Sequence, residues 1–318
     1  MSFVERYLTA VDLCYIQSQN DPENEPYRSK YAARKIFEEL HELELDTVDV
    51  VISKDLQALS IHDDKFVPIE SEDDGMGKNQ FLIRLVLDYH IGTIFCDTDE
   101  RSEGETRLQN VLISIEQALP HRLLNSLALN TLNQLILLRT SFENYQEAIQ
   151  LAKHAEEIYD KSSTNDSYRL QDLIQFDSLY NEKQRREEFE QIFTHTLFYL
   201  AQIYGKQQDK DRSARYCRVT LERQLVLFNQ KSSNFDALDW ATSCATLSQY
   251  YMSNHDYGTA RHCLLCADAM LVNVDNNHEQ YLERSASFKR CWIKYAVNLL
   301  GKNVRMEIFV VRSGIESI

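Results

Sequence analysis

Apolar side chains recur at three- and four-residue intervals along most of the chain, which is the spacing of amphipathic helices. Within four of these segments, a small or apolar residue is followed twelve positions later by another small residue. Such pairs mark the points where the two helices of a hairpin approach closely, because a large side chain would hold the backbones apart. The pairs are Gly92 with Gly104, Ile136 with Ala148, Ala201 with Ser213, and Ser248 with Ala260. The pattern predicts four helical hairpins of the tetratricopeptide kind.

The spacing of these hairpins exceeds that of the standard repeat. The first members of the four pairs lie 44, 65 and 47 residues apart, whereas a tetratricopeptide unit has about 34 residues. The difference implies longer helices and inserted segments. We predict an all-α fold, a right-handed α-solenoid of tetratricopeptide-like helical hairpins, with an unspecialised helical bundle as the alternative.

Breaks in the pattern indicate how the chain is organised. Two prolines within QNDPENEP separate a pair of N-terminal helices, and the run ESEDDG lies in an acidic connector. The predicted parts are an N-terminal helical pair at 1–45, an acidic flexible loop at 46–78, repeats 1 and 2 at 79–160, an insert at 161–188, repeats 3 and 4 at 189–272, a terminal helix at 280–302 and an irregular tail at 303–318.

Composition narrows the classes of protein that fit. The 318 residues include only eight Gly and four Pro. Sheets and barrels need many tight turns, and nucleotide-binding folds need glycines beside phosphates, so both classes are disfavoured. The net charge of −15 repels nucleic acid and anionic membranes and favours a basic partner surface. We therefore expect neither nucleic-acid binding nor membrane insertion.

The ends and the cysteines indicate the compartment. The chain begins without a secretory signal pattern, and no stretch has the roughly 20 apolar residues of a membrane span. Seven cysteines, an odd number, fit reduced thiols in a helical core better than a disulfide framework. We expect a soluble, cytoplasmic protein.

Candidate chemistry is sparse. Cys263 and Cys266 with His255 and His262 have the spacing of half a zinc site, but the second half is missing, so core packing is the favoured interpretation. The sequence contains no HExxH, GxSxG or phosphate-loop motif. We predict a protein without catalytic residues, metal or cofactor, and therefore not an enzyme.

Five local strings are long enough to compare with known families. The strings are EPYRSKYAAR at 25–34, THTLFYLAQIYGK at 194–206, ARYCRVTLERQL at 214–225, ATLSQYYMSNHDYGTARHCL at 245–264 and RCWIKYAVNLL at 290–300. They resemble one family, the KIF-binding protein (kinesin-binding protein) family, and occur in family order, with the resemblance running from about residue 10 to 300. The family normally continues into a second set of helices about as long again, so the chain resembles a shortened form lacking the C-terminal half.

The resemblance implies a solenoid that holds the motor domains of some kinesins, kinesin-3-like motors among them, in its concave surface. It also implies control of microtubule attachment and transport, with roles in axonal microtubule organisation, axon outgrowth, neurogenesis and mitochondrial transport. The implied location is the cytoplasm, with indirect association with microtubules and mitochondria through the motors. The alternative function is a general tetratricopeptide scaffold for extended peptides, and an uncharacterised enzyme ranks below both.

Helical spacing within the family-like strings nominates partner-binding residues. Packing positions recur at i, i+3, i+4 and i+7, and polar residues form the complementary stripe on each first helix of repeats 3 and 4. The packing residues are Leu197, Leu200, Ala201 and Tyr204, then Cys244, Leu247, Ser248 and Tyr251. The nominated residues are His195, Tyr199 and Gln202, then Thr242, Thr246 and Gln249, with Gln224 as a weaker candidate. Ordinary solvated faces are the alternative interpretation. The stripes contain no Lys or Arg clamp, which disfavours carboxylate-terminated peptides as ligands.

Charge suggests a second contribution to binding. A kinesin surface that attracts acidic tubulin is expected to be basic, so an acidic protein can compete for it. The loop around Glu70, Glu72, Asp73 and Asp74 would steer that encounter, or would serve only solubility. Trp240 and Trp292 are predicted to be core residues rather than partner anchors.

Overall fold

The computed structural model describes residues 3–43, 72–98, 100–118, 122–162, 182–229, 235–272 and 286–301. These residues form α-helices joined by short turns and one 3-10 helix at Gln17–Asn20, and the described part contains no β-strand. The helices are α1 (Phe3–Tyr15), α2 (Arg28–Glu42), α3 (Glu72–Asp97), α4 (Arg101–Gln117), α5 (Arg122–Ser141), α6 (Tyr145–Lys161), α7 (Glu182–Lys206), α8 (Lys210–Asn229), α9 (Ala237–Ser253), α10 (Tyr257–Leu271) and α11 (286–301). The predicted all-α class is confirmed.

The chain forms two compact units, Met1–Tyr199 and Leu200–Ile318, and the division falls within α7. The first unit contains the helices from α1 to α6 and most of α7. The second contains the end of α7 and the helices from α8 to α11.

Each small-residue pair predicted from the sequence lies where two consecutive helices meet. In α3 and α4, a Cβ placed on Gly104 would lie 2.7 Å from the Gly92 carbonyl oxygen. Ile136 and Ala148 are fully buried between α5 and α6. In the other two hairpins, Ser213 Oγ donates to the Ala201 carbonyl at 2.8 Å, and Ser248 and Ala260 are fully buried. The predicted pairs therefore lie at the interfaces of the hairpins, and contact distances show a close approach at Gly92 with Gly104 and at Ala201 with Ser213.

Three of the hairpin turns share one backbone conformation. Glu143, Gln208 and His255 have φ of 60°, 63° and 61°, and each follows the first helix of its hairpin. The next residue closes the helix end with a backbone hydrogen bond, for example from Asp209 N to the Tyr204 carbonyl at 2.9 Å. A left-handed residue at this position is usually glycine, because other side chains are strained there. The sequence has Glu, Gln and His at these positions instead, so glycine does not mark these turns.

A buried histidine joins the first three helices of unit 1. His90 of α3 is hydrogen-bonded through Nε2 to the Tyr7 hydroxyl and through Nδ1 to the Tyr15 hydroxyl, both at 2.9 Å. Its ring stacks on Phe37 of α2, with ring centres 4.9 Å apart. Burial lowers the pKa of His90 to about 3, so the imidazole is neutral. One ring nitrogen therefore donates and the other accepts, which requires a specific placement of both tyrosines.

A polar contact fixes α5 against α7 within unit 1. Asn133 is almost fully buried, and its Nδ2 donates to the Ile192 carbonyl at 2.9 Å. Its Oδ1 accepts from Thr196 Oγ1 at 2.7 Å. A buried amide with partners for both ends specifies the register of two helices, because sliding either one would leave those groups unpaired.

The core of unit 2 is built from α8 to α11. Trp240 is buried and donates through Nε1 to the Leu221 carbonyl at 3.1 Å, which confirms its predicted core position. Trp292 is only half-buried, and its Nε1 donates to Asp268 Oδ2 at 3.0 Å. Trp292 thus packs against the core as predicted but is not fully buried, because its indole N–H reaches a carboxylate at the edge of the core.

Helix boundaries differ from the predicted organisation at two places. Helix α3 begins at Glu72, within the range predicted as an acidic loop, and α7 begins at Glu182, within the predicted insert. Acidic residues are favourable in the first turn of a helix, so an acidic run can open a helix rather than a loop. The remaining parts of the loop, the insert and the tail at 303–318 lie outside the described residues.

The cysteine pair considered for zinc lies on α10. Cys263 is buried and Cys266 is half-buried, with its Sγ 3.5 Å from His262 Nε2. Burial raises the pKa of Cys263 to about 11, which keeps the thiol protonated. Among the described residues, no three or more His, Cys, Asp or Glu side chains are grouped to hold a metal ion. In the described parts of the chain, no helix is both long and apolar enough to cross a membrane.

Candidate partner-binding surfaces

Three of the nominated residues border one cleft in unit 2. Thr242, Thr246 and Gln249 of α9 line it together with Phe288 and Cys291 of α11. They share this border because the i, i+4 and i+7 positions fall on one face of a helix. The cleft has a volume of about 40 Å³, whereas small-molecule sites usually have several hundred Å³. It can admit a side chain of a partner, but not a cofactor.

The hydrogen bonds of these residues determine what they can offer. Thr242 Oγ1 donates to the Leu238 carbonyl at 2.8 Å, and Thr246 Oγ1 donates to the Thr242 carbonyl at 3.0 Å. Both threonines are exposed, so their hydroxyl oxygens present acceptor lone pairs to the surroundings. Gln249 is half-buried, and its Nε2 contacts Cys291 Sγ at 3.4 Å. The cleft border is therefore mainly a hydrogen-bond acceptor, suited to partner donors.

The two other nominated residues of unit 2 do not line this cleft. Gln202 is exposed near the end of α7, and Gln224 is half-buried on α8. The structure thus brings three of the five nominated residues of this unit to one cleft and leaves two outside it.

The remaining nominated residues, His195 and Tyr199, belong to unit 1. His195 is exposed and Tyr199 is half-buried, with ring centres 6.5 Å apart. Although part of the His195 ring reaches solvent, its packed side lowers the pKa of the imidazole below the usual value, so the ring is neutral at pH 7. Burial raises the pKa of the Tyr199 hydroxyl, which stays protonated. This surface presents neutral, amphipathic rings.

Sequence reasoning missed an exposed aromatic beside this pair. Phe198 is 40% exposed, and its ring centre lies 6.0 Å from that of Tyr199. Phe198 falls in neither the packing set nor the polar stripe, so the periodic pattern did not nominate it. A local signal was available, since an aromatic at a helix position outside the packing face is a candidate contact.

Three of the four residues nominated for electrostatic steering lie in a helix. Glu70 lies outside the described residues, whereas Glu72, Asp73 and Asp74 lie in the first turn of α3. The backbone therefore contradicts a loop at these three positions, although not their acidic character.

Comparison with known proteins bears on both units. Residues 238–309 match the family described as KIF-1 binding protein C terminal. The KIF-binding protein of Danio rerio is 33% identical over an alignment of 327 positions, which covers 93% of this chain and 50% of that relative. Over nearly all of its own length the chain is thus similar to KIF-binding proteins. It spans about half the length of the curated relatives it matches.

Solved structures related to the KIF-binding proteins extend the likeness to three dimensions. A structure of kinesin binding protein (KBP) matches 96% of this chain and 53% of its own, with 26% identity and a TM-score of 0.61. A cryo-EM structure of KIFBP core matches 96% of this chain and 92% of its own, with 25% identity and a TM-score of 0.56. Both are helical solenoids, which confirms the predicted fold class. The relatives bear the name of a binding protein, and the prediction of a non-enzymatic protein is confirmed by them.

Proposed function

We propose that this chain binds kinesin motor domains. The observation that carries the proposal is its likeness to proteins named KIF-binding protein across 93% of its length. Because the chain spans about half of those relatives, the proposal is specifically that the matching half makes contacts with the motor.

The surface chemistry supports a basic partner. Thr242 and Thr246 present acceptor oxygens, since their own hydrogens are donated within α9. A motor surface that binds acidic tubulin is expected to be rich in Lys and Arg, which are donors without acceptors. Exposed threonine oxygens can therefore pair with it at little desolvation cost. His195, Tyr199 and Phe198 would add neutral ring contacts from unit 1.

Long-range charge supports the same partner. The net charge of −15 attracts a basic surface and speeds encounter, an effect that salt screens over about 8–10 Å at physiological ionic strength. Association of the chain with a motor domain is expected to slow as salt rises, while dissociation changes less.

The finer functional consequences follow from this binding. Occupying the microtubule-binding face of a kinesin, including kinesin-3-like motors, would control microtubule attachment and transport. Cytoplasmic location, indirect association with microtubules and mitochondria, and roles in axonal microtubule organisation and axon outgrowth are part of this proposal. Its partners would be motor proteins rather than nucleic acid or membrane.

Binding is tested with purified chain and purified kinesin motor domains. We expect the chain to be retained by an immobilised kinesin-3 motor domain and to change the fraction of motor that sediments with microtubules. A chain that neither binds any of a panel of motors nor alters their sedimentation would refute the proposal.

A matched pair of variants tests the cleft. Thr242→Ala with Thr246→Ala removes both acceptors, and we expect motor affinity to fall by roughly tenfold, as for two lost hydrogen bonds. Ser253→Ala is the control, because Ser253 Oγ makes the same kind of bond to its own helix, to the Gln249 carbonyl at 2.9 Å, but does not line the cleft. If motor affinity falls equally in both variants, the cleft is not part of the binding surface.

A further inference from the structure

The outward face of α11 carries an apolar stripe. Ile293, Val297 and Leu300 are 62%, 61% and 64% exposed. Their i, i+4 and i+7 spacing places them in one row along the helix. We call these three residues the α11 stripe. Isolated exposed apolar residues are ordinary, but an aligned row over two turns is typical of a surface that pairs with another helix.

The opposite face of α11 is already occupied. Phe288, Cys291 and Tyr295 are buried in the core that also contains α9 and α10. Trp292 is held by its hydrogen bond to Asp268. The helix is therefore firmly packed with its stripe directed outward. The stripe is exposed even though the helix itself is well attached to the core.

Positive charge flanks the stripe on both sides. At 100° per residue, Lys289 projects on one side of the row, and Arg290 and Lys294 project on the other. All three are exposed, and residues 286–301 contain no Asp or Glu. Within the described part of the chain, no carboxylate forms an ion pair with any of the three. A chain with net charge −15 thus has a locally basic border around an apolar row, and this border forms no ion pair with the described carboxylates. Arg290 Nε donates to the Ala286 carbonyl of its own helix at 3.4 Å.

We propose that the α11 stripe is a docking site for an amphipathic helix of a partner protein whose apolar stripe is flanked by Glu or Asp. Two turns of apolar residues match the a and d positions of such a helix, and the cations match acidic residues at its flanking positions. A second copy of this chain is disfavoured, because it would bring two sets of three cations together.

This site differs from the surface proposed for kinesin. Ser287, Phe288 and Cys291 are the α11 residues that line the cleft, and no residue of the α11 stripe is among them. The inference therefore stands on its own contacts and does not depend on motor binding.

The test uses two synthetic helical probes of three heptads, about 21 residues. Both have Leu and Ile at a and d, and they differ only in carrying Glu or Lys at the flanking e and g positions. Fluorescence anisotropy with the whole chain measures their affinities. We expect the Glu probe to bind at micromolar concentration and at least tenfold more tightly than the Lys probe.

Variants separate the apolar from the charged contribution. Ile293→Ser with Val297→Ser is expected to abolish binding of the Glu probe while leaving circular dichroism and thermal unfolding unchanged, because both side chains are exposed. Reversing all three flanking cations, with Lys289→Glu, Arg290→Glu and Lys294→Glu, is expected to reverse the preference, so that the Lys probe binds more tightly.

Control variants and alternative occupants make the outcome decisive. Lys35→Glu, Lys153→Glu and Lys206→Glu change the net charge equally at exposed positions elsewhere, and the preference for the Glu probe should persist. The proposal is overturned if the two probes bind equally, or if neither binds at roughly millimolar concentration. It is also overturned if Ile293→Ser dissolves a dimer seen by sedimentation, or if vesicles containing phosphatidylserine bind and the Glu probe does not. Motor binding by the stripe variants is measured in parallel, so a failure of one proposal does not obscure the other.

Discussion

Substituting Gly104 by alanine tests whether a glycine pair determines how closely α3 and α4 pack. A Cβ at position 104 would lie 2.6 Å from Cys96 N and 2.7 Å from the Gly92 carbonyl oxygen. Both atoms belong to the backbone of α3, so no side-chain rotation relieves the clash. Ordinary carbon contacts begin near 3.4 Å, and the helices must therefore separate locally by ~0.8 Å, the difference from the 2.6 Å contact.

The expected magnitude is the difference of two effects. Overpacking of a buried helix contact costs about 1–3 kcal/mol, and the cost is at the upper end here because backbone must move. Alanine is about 1 kcal/mol better than glycine inside a helix. We expect Gly104→Ala to lower the free energy of unfolding of unit 1 by about 2 kcal/mol in spite of its better helix propensity.

Two other glycines supply the controls. A Cβ at Gly92 would meet Cδ2 and Cγ of the fully buried Leu108 at 3.0 and 3.1 Å, and the Gly104 carbonyl oxygen only at 3.4 Å. Because a side chain rather than backbone must adjust, Gly92→Ala should cost about 1 kcal/mol less than Gly104→Ala. A Cβ at the exposed Gly258 would meet only Asp256 Oδ1 at 3.7 Å, and Gly258→Ala should be neutral or stabilising.

Urea denaturation followed by circular dichroism measures these differences, with the transitions of the two units fitted separately. If Gly104→Ala were as stable as the unsubstituted chain, the close approach of α3 and α4 would be wrong. An equal loss for Gly92→Ala would show that any added methyl group disturbs the hairpin, and that the backbone contact at Gly104 has no special role.

Three further measurements address other features. The pKa of His90 is about 3 in the folded protein, against an ordinary 6.5, so the unfolded chain takes up a proton at higher pH than the folded chain does. The folded state therefore loses stability as pH falls from 6.5 towards 3, and from pH 7 to pH 5 we expect the free energy of unfolding to fall by about 2 kcal/mol. Urea titrations at the two pH values measure this loss, and His90→Gln should reduce it. Asn133→Ala should cost about 2–3 kcal/mol in thermal or urea unfolding, because Thr196 and the Ile192 carbonyl lose their buried partner, whereas Asn130→Ala, which bonds only within α5, should cost under about 1 kcal/mol. Gln208→Gly should raise the free energy of unfolding of unit 2 by about 0.5–1 kcal/mol, because glycine removes the strain of a left-handed backbone. Gln207→Gly, at a position without positive φ, should lower it, and a gain in both variants would show that the backbone at Gln208 is not strained.

The helical hairpins could be predicted because their cause is local. Close approach of two helices requires small residues at a fixed offset, and the offset of twelve between Ala201 and Ser213 follows from the lengths of a helix end and a turn. The same logic predicted that Leu197, Leu200 and Cys244 would be buried, and they are. Boundaries were less predictable, since an acidic run such as that before Asp74 suits both a solvated loop and a helix N-terminus.

Contacts between elements that are distant in sequence could not be predicted from spacing. Asn133 is one of several asparagines on an amphipathic helix. Only the position of α7 buries its side chain and supplies its hydrogen-bond partners. Gln249 illustrates the reverse case: its stripe position suggested a free contact residue, but α11 places Cys291 against its amide. The meaning of a polar side chain therefore depends on which later helix covers it.

The α11 stripe shows why an exposed face also needs the structure for its interpretation. In the sequence, RCWIKYAVNLL has apolar residues on all sides, so Ile293 and Val297 look like core positions of a terminal helix. The structure assigns Phe288, Cys291 and Tyr295 to the core, and these residues occupy the face opposite the stripe. Once one face is occupied, the geometry of a helix requires the other apolar residues to face outward. The cations beside them, which form no ion pair with a described carboxylate, then select an acidic helix over a like-charged copy. Neither the composition nor the net charge of −15 would have indicated this.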